Sequence, residues 1–237
     1  MAYAESEMKT RTFRKLEELN LLDDFLFQEM VISPEVGEEF CRILLRVILG
    51  REIRQVKITP QRSIPGRDTD RHGVRLDAYI EDVSPEGTMG EGELLDARIV
   101  RDIYDIEPNK VHERSVLPRK MRYYHGLVDT KLLETSVSYE KLPNVFIIMI
   151  LPYDPFDRNR MVYTVKNQCV EDSTVSYEDG AVKIFLYTRG TEGNPGKNLI
   201  DMLKYIEEST EENIVNQDIE RIHNMVQLTK QKKELPV

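Results

Sequence analysis

The sequence predicts an α/β fold, and three observations predict it. Segments with apolar residues at steps of three and four alternate with short segments rich in branched residues. Residues 144–151, NVFIIMIL, form the short continuous apolar run of a strand covered on both faces. From Pro34 to Leu151 the order of signals is helix, three strands, helix, strand. The chain has 237 residues, 40% apolar and 32% charged, which is enough for a packed core. At about 150 residues per domain it is one domain or two. No long Pro/Gly/Ser linker, repeat or low-complexity segment divides it. The simplest organisation is a polar lead-in at 1–20, one α/β domain at 21–195 and a helical C-terminal extension at 196–237.

The elements follow in order. Residues 21–32 set Leu22, Phe25, Leu26 and Met30 at helical spacing. Ser33-Pro34 reads as an N-cap with proline at the first helical position. The helix it opens carries Val36, Phe40, Ile43, Leu44, Val47 and Ile48 on one face, with Gly50 as its C-cap glycine. Residues 53–59 alternate imperfectly as a strand, and 60–73 are polar and turn-rich. Residues 74–82 alternate cleanly, with Val74, Leu76, Ala78 and Ile80 on one face and Arg75, Asp77, Tyr79 and Glu81 on the other. Residues 84–93 hold three glycines and a proline and read as a loop or the tip of a long hairpin. Residues 98–109 are the third strand. A helix over 118–134 buries the stripe Leu117, Met121, Tyr124, Val128 and Leu132. Strands at 161–165 and 181–188 and helices at 198–209 and 211–233 complete the chain. Residues 207–220, with six acids and no base, read as a solvated helix face.

Composition narrows the function classes. A net charge of −9 excludes a wholly basic nucleic-acid binder but not a local basic face. Two cysteines, Cys41 and Cys169, exclude a disulfide framework and a four-cysteine zinc site. The N-terminus lacks a signal-peptide apolar run. The longest apolar run, 145–151, falls far short of the roughly 20 residues of a membrane helix. A soluble, cytoplasmic protein is expected.

The candidate chemistry lies in the middle of the chain. Asp77 stands mid-strand, and Asp105, Glu107 and Asn109 share a face by period two. A carboxylate on a central strand is costly unless paired or metal-bound. Two on neighbouring strands can converge on one Mg²⁺, a hard ion that takes oxygen ligands and keeps several waters. Such an ion polarises a phosphodiester and lowers the pKa of bound water. The plain alternative is pairing of Asp77 with Arg75 or Arg101. Two basic segments flank the acids. Residues 51–75 hold seven Lys/Arg against three Asp/Glu, and 110–122 hold five against one. Arg119, Lys120 and Arg122 fall in the first turns of a helix, where the dipole favours an anion. Tyr123 and Tyr124 add phosphate or base contacts, and the alternative there is a solvated helix face.

The runs VRLD at 74–77, YDIEPNK at 104–110 and LPRKMRYY at 117–124 resemble the PD-(D/E)XK nuclease family transposases, relatives of the recombination-promoting nucleases. YEKLP at 139–143, DPF at 154–156 and LYTRG at 186–190 fit as well, so the resemblance spans about residues 21–233. It implies a restriction-endonuclease-like core of helix, three-strand meander, helix and strand. It also implies an Mg²⁺- or Mn²⁺-dependent DNA endonuclease of a mobile element. On this resemblance Asp77 and Glu107 are the two metal-binding acids. Asn109 stands where the wider motif has lysine, and Lys110 follows it as the other catalytic candidate. Strict alternation points Lys110 to the opposite face, unless Pro108 lets it swing in. Arg75, Arg119, Arg122 and Tyr123 are the phosphate-binding candidates. Asp24 and Phe27 match an N-terminal Asp-x-x-Phe element. A homodimer would let two single-site subunits cut both strands. The alternative expectation is a decayed nuclease fold that binds DNA or protein, since asparagine offers a hydrogen bond where lysine offers a charge.

Overall fold

The computed structural model describes residues 15–53, 55–64, 74–82, 102–132 and 138–234. The 84–93 loop, the lead-in to residue 14, residues 98–101 of the expected third strand and the end of the 118–134 helix lie outside them. The alternating segment forms strand β2 (Val74–Asp82), antiparallel to β1 (Val56–Ile64) and to β3 (Asp102–Pro108). The continuous apolar run is β4 (Asn144–Leu151), parallel to β3. A parallel pair needs a crossover, and helix α3 (Leu117–Leu132) supplies it. Beyond β4 lie β6 (Ala181–Tyr187), parallel to it, and then β5 (Val162–Val165), antiparallel to β6. The result is one six-stranded mixed sheet in the order β1-β2-β3-β4-β6-β5.

Both faces are covered. Tyr104, Ile106, Ile148, Ile150, Ile184 and Leu186 pack against α1 (Asp24–Ile32), α2 (Gly37–Leu49), α4 (Lys197–Glu207) and α5 (Gln217–Glu234). The opposite face sets Tyr79, Ile103, Ile147, Met149 and Phe185 beneath Leu117, Met121 and Val128 of α3. Helices α4 and α5 put Leu199, Met202, Ile206, Ile219 and Ile222 into the same core as α1 and α2, so residues 196–234 are one of its walls.

Some boundaries differ from the sequence reading, each for a local reason. Strand β1 runs past Thr59 and through Pro60 to Ile64. It is an outer strand, where a residue without an N–H is tolerated. Helix α2 starts at Gly37, three residues after the proposed proline start, and its N-cap Val36 makes no side-chain cap. Ser33 acts through its backbone instead, its carbonyl accepting from the Gly37 N–H at 2.9 Å. The α1–α2 corner is tight, since a Cβ on Gly37 would stand 2.3 Å from the Val31 carbonyl oxygen. Gly50 closes α2 as expected, at φ +64° with its N–H on the Arg46 carbonyl. The acidic run 207–220 is not one helix face. It crosses the end of α4, a single turn of 3₁₀ helix at Glu211–Asn213 and the start of α5, and Asp218 pairs with Arg46 at 2.6 Å.

Two predictions follow from this packing. Gly37→Ala forces backbone apart and should cost about 1–3 kcal/mol, read as a lowered midpoint in urea. His125, on α3, is 6% exposed. Burial, helped by the nearby Lys183 charge, pushes its pKa down to about 4 against the opposing effects of the Val182 backbone and Asp179. The unfolded chain therefore binds this proton first as the pH falls. Stability should drop by about 2 kcal/mol between about pH 6.5 and pH 5, and His125→Gln should flatten that slope in denaturant titrations.

Candidate active site

Strand β3 is buried along its whole length although it carries Asp102, Asp105 and Glu107. Its two faces divide them. Asp102 lies on the side of Tyr104 and Ile106, and Asp105 and Glu107 on the side of Ile103, beneath α3. Asp102 is fully engaged. Arg51, just past α2, bonds both its carboxylate and the Tyr104 hydroxyl. The Tyr104 hydroxyl donates to Asp102 at 3.0 Å and the Asn144 amide at 2.7 Å. This network fixes the N-terminal ends of β3 and β4 together. Burial and the Asp102 charge push the Tyr104 hydroxyl far above the usual phenol range.

The other end of β3 gathers the remaining candidates. Glu107 is 6% exposed and Asp105 is fully buried. Tyr79 of β2 pairs with Asp105. The β2–β3 pairing extends as far as Tyr79 and Asp105, two residues before Asp77 on β2 and Glu107 on β3. Arg75 stands opposite Ser63 of β1. The side chains of Arg75 and Asp77 lie outside the described residues.

Asn109 continues the ladder, its N–H on the Ile150 carbonyl at 2.9 Å. Its Oδ1 then accepts from the Val111 N–H at 2.8 Å, so the side chain closes a turn and only the Nδ2 amide is left to reach outward. Lys110 keeps the alternation in spite of Pro108. Its Nζ bonds Asp23 Oδ1 at 2.6 Å, at the start of α1 and therefore on the layer opposite Glu107. Asp23 is 6% exposed and also accepts from the Asn20 N–H at 2.9 Å. The neighbouring Asp24 carboxyl is raised by partial desolvation, against the pull of Lys110 and Lys120. The starts of α1 and α3 thus face each other across the end of β3.

Helix α3 brings its own cations. Lys120 is half-buried, 3.3 Å from Glu113 and 5.7 Å from the centre of the Tyr124 ring. Arg119, Arg122 and Tyr123 are exposed. Among the described residues neither arginine has an ion pair. The segment between β3 and α3 is folded over Tyr153, at the end of β4. The Tyr153 hydroxyl donates to the Val111 carbonyl at 2.8 Å and accepts from the Glu113 N–H at 3.3 Å. The His112 ring lies 4.6 Å from the Tyr153 ring.

Sequence reasoning missed three of these features. The Asp23–Asp24 doublet was visible, but Asp23's partner lies 87 residues away. Lys120 stood within the basic cluster, with nothing to separate it from its neighbours. The His112–Tyr153 pair joins two segments that no periodicity links. Among the described residues no group of three or more His, Cys, Asp or Glu is placed to hold a metal ion. No helix among them is long and apolar enough to cross a membrane. Comparison with family models, with curated proteins and with solved structures finds no match for this chain.

The Asp23–Lys110 pair is the tie between α1 and the end of β3. Lys110→Met leaves the buried Asp23 carboxylate without its cation. It should cost about 1–3 kcal/mol, the lower part of the range for a broken buried pair because Lys110 is partly exposed. Thermal melts at pH 7 check this, and Lys110→Arg should recover most of the loss.

Proposed function

We propose that this chain is a metal-dependent DNA endonuclease of the PD-(D/E)XK transposase type. One observation carries the reading: Glu107 lies on a strand buried along its whole length, and β2, the strand of Asp77, pairs with it as far as Tyr79 and Asp105. The element order supports it too, since a helix, three strands in a meander, a helix and a further strand are the order the resemblance implied.

The oxygen donors available fit a hard divalent ion. Asp77 and Glu107 would hold Mg²⁺ or Mn²⁺, which when bound supplies Lewis-acid polarisation of the phosphodiester. The protein's own residues do the rest. Arg119 and Arg122, exposed on the first turns of α3, hold flanking phosphates. The helix N-terminus adds its dipole. The Asn109 Nδ2 amide donates a hydrogen bond where the wider motif has an ammonium. Hydrolysis at such a site is slow, because an amide stabilises a developing negative charge less than a cation does.

A second reading has its own observation. Asn109 Oδ1 is spent on Val111, and Lys110 is spent on Asp23. A fold that directs both residues to structural work fits a binding protein descended from a nuclease.

Plasmid nicking at low salt separates the two. In Mg²⁺ or Mn²⁺ the wild type should convert supercoiled plasmid to open circle, and Asp77→Ala and Glu107→Ala should each lower the rate at least 100-fold. A folded wild type that leaves every DNA form intact would overturn the endonuclease reading in favour of binding alone.

A further inference from the structure

The sheet has two margins, and they differ. The β1 margin carries Pro60, whereas β5 holds no proline between Val162 and Val165. The Met161 carbonyl accepts from the Tyr187 N–H at 2.9 Å, on the β6 side. Backbone direction alternates along an antiparallel strand, so the N–H and carbonyl groups of Val162 and Thr164 face away from β6. Among the described residues no strand pairs with that side of β5. Thr164 and Val165 are exposed. Unlike charges stand at the two ends of the strand. Before it, the turn at 157–160 presents Arg158 and Arg160, both exposed. Asp157 of the same turn is already paired with Arg114, and Glu192 is bridged to Arg160 only through the backbone. After the strand, the loop to β6 holds exposed Glu171, Asp172, Glu178 and Asp179 against Lys166. Among the described residues neither the two arginines nor these four acids have an ion pair. From Arg160 to Lys166 the chain takes six steps, which at about 3.4 Å each separate the two ends by about 20 Å. That exceeds the Debye length of about 8 Å at physiological ionic strength, so neither end compensates the other within one chain.

From these features we infer that the β5 margin is the interface of a homodimer, in which β5 pairs antiparallel with β5 of a second copy across a two-fold axis. Such an axis lays the start of each strand beside the end of the other. It therefore brings the two arginines of each copy to the acidic loop of its partner, and does so twice. A parallel approach would set arginines against arginines and acids against acids, at a cost in repulsion. Ends that complement each other are what a second copy of the same chain requires. A four-residue strand is too small for a stable interface by itself. Val165, Val170 and Tyr177, exposed by 40%, 87% and 58%, add apolar and aromatic surface on the strand and its loop. Tyrosine and arginine are among the residue types that interfaces favour. The inference goes beyond the endonuclease reading and does not rest on it.

The test is sedimentation velocity of the full chain over a series of micromolar concentrations. The wild type should pass from monomer to dimer as concentration rises. Arg158→Glu with Arg160→Glu sets acids against acids and should weaken the dimer about tenfold, and Glu171→Lys with Glu178→Lys should do the same. All four side chains are exposed, and Glu171 and Glu178 accept only from the neighbouring Cys169 and Ser176 side chains, so these variants should melt close to the wild type. A chain carrying all four reversals regains complementarity and should dimerise within about threefold of the wild type. Thr164→Pro removes an outward N–H from the margin and should leave a monomer. Circular dichroism checks that this variant is folded, and where it is not, the reversals decide. A wild type that stays monomeric at every concentration leaves this margin to a partner of other chemistry and overturns the inference. So does a dimer that either pair of reversals leaves intact, or one that the fourfold variant fails to restore. Failure of plasmid nicking would count against the endonuclease reading alone.

Discussion

A charged carboxylate on a strand with no exposed face has to be compensated where it stands, and β3 carries three of them. Much of the surrounding structure is the compensation. Asp102 draws Arg51 from the end of α2 and the amide of Asn144 from the start of β4, which fixes where α2 ends and how β4 begins its ladder. At the far end Lys110 reaches to Asp23 and fixes where α1 starts. Between these clamps Asp105 and Glu107 sit on the α3 side of a sheet whose neighbours there are Ile147 and Met149. Folding does not choose to leave charge in such a place without return. Structural pairing and ion binding are the two returns physical chemistry offers.

The two ends of β3 show how these can coexist in one strand. At Asp102 every oxygen is accounted for by a cation, a phenol and an amide, and that end is architecture. At the other end the sequence supplies an asparagine that caps a turn and a lysine that turns away. On the proposed reading, cationic help for a phosphate comes from α3, a different element from the one that carries the acids. The position of α3 over its core, set by Leu117, Met121 and Val128, would then be what aligns charge with carboxylate. Repacking that core would shift these cations without touching any of them.

Much of this was legible in the sequence, for reasons that differ by element. Strand β4 matched its expected bounds, 144–151, because a run apolar on both faces has one comfortable place, the centre of a sheet. Strand β2 matched its expected bounds, 74–82, and the stripe of α3 was read correctly, because each segment satisfies a single period. What could not be read was pairing at a distance. Nothing local in Arg51 names Asp102, and nothing in Lys110 names Asp23. The proposed start of α2 at Pro34 failed because propensity favoured it while a close approach between Gly37 and the Val31 carbonyl decided the matter. The residue types and the meander around Asp77 and Glu107 were in the sequence, and the pairing of β2 with β3 as far as Tyr79 and Asp105 came from the structure.

Pro60 carries a consequence of another kind. It sits midway along β1, the strand that ends the sheet on one side. A sheet grows by offering N–H and carbonyl groups along its open margin to a further chain. At Pro60 the ring nitrogen has no hydrogen to offer, so an incoming strand laid along that margin meets a gap in the row it would bond to. A residue without an N–H is tolerated on a strand at the end of a sheet, where half of the backbone groups have no neighbouring strand. This guard does not depend on salt or pH, as a guard built from lysines would. Exchanging Pro60 for valine would leave β1 in place and turn this margin into a surface on which fibrils can seed.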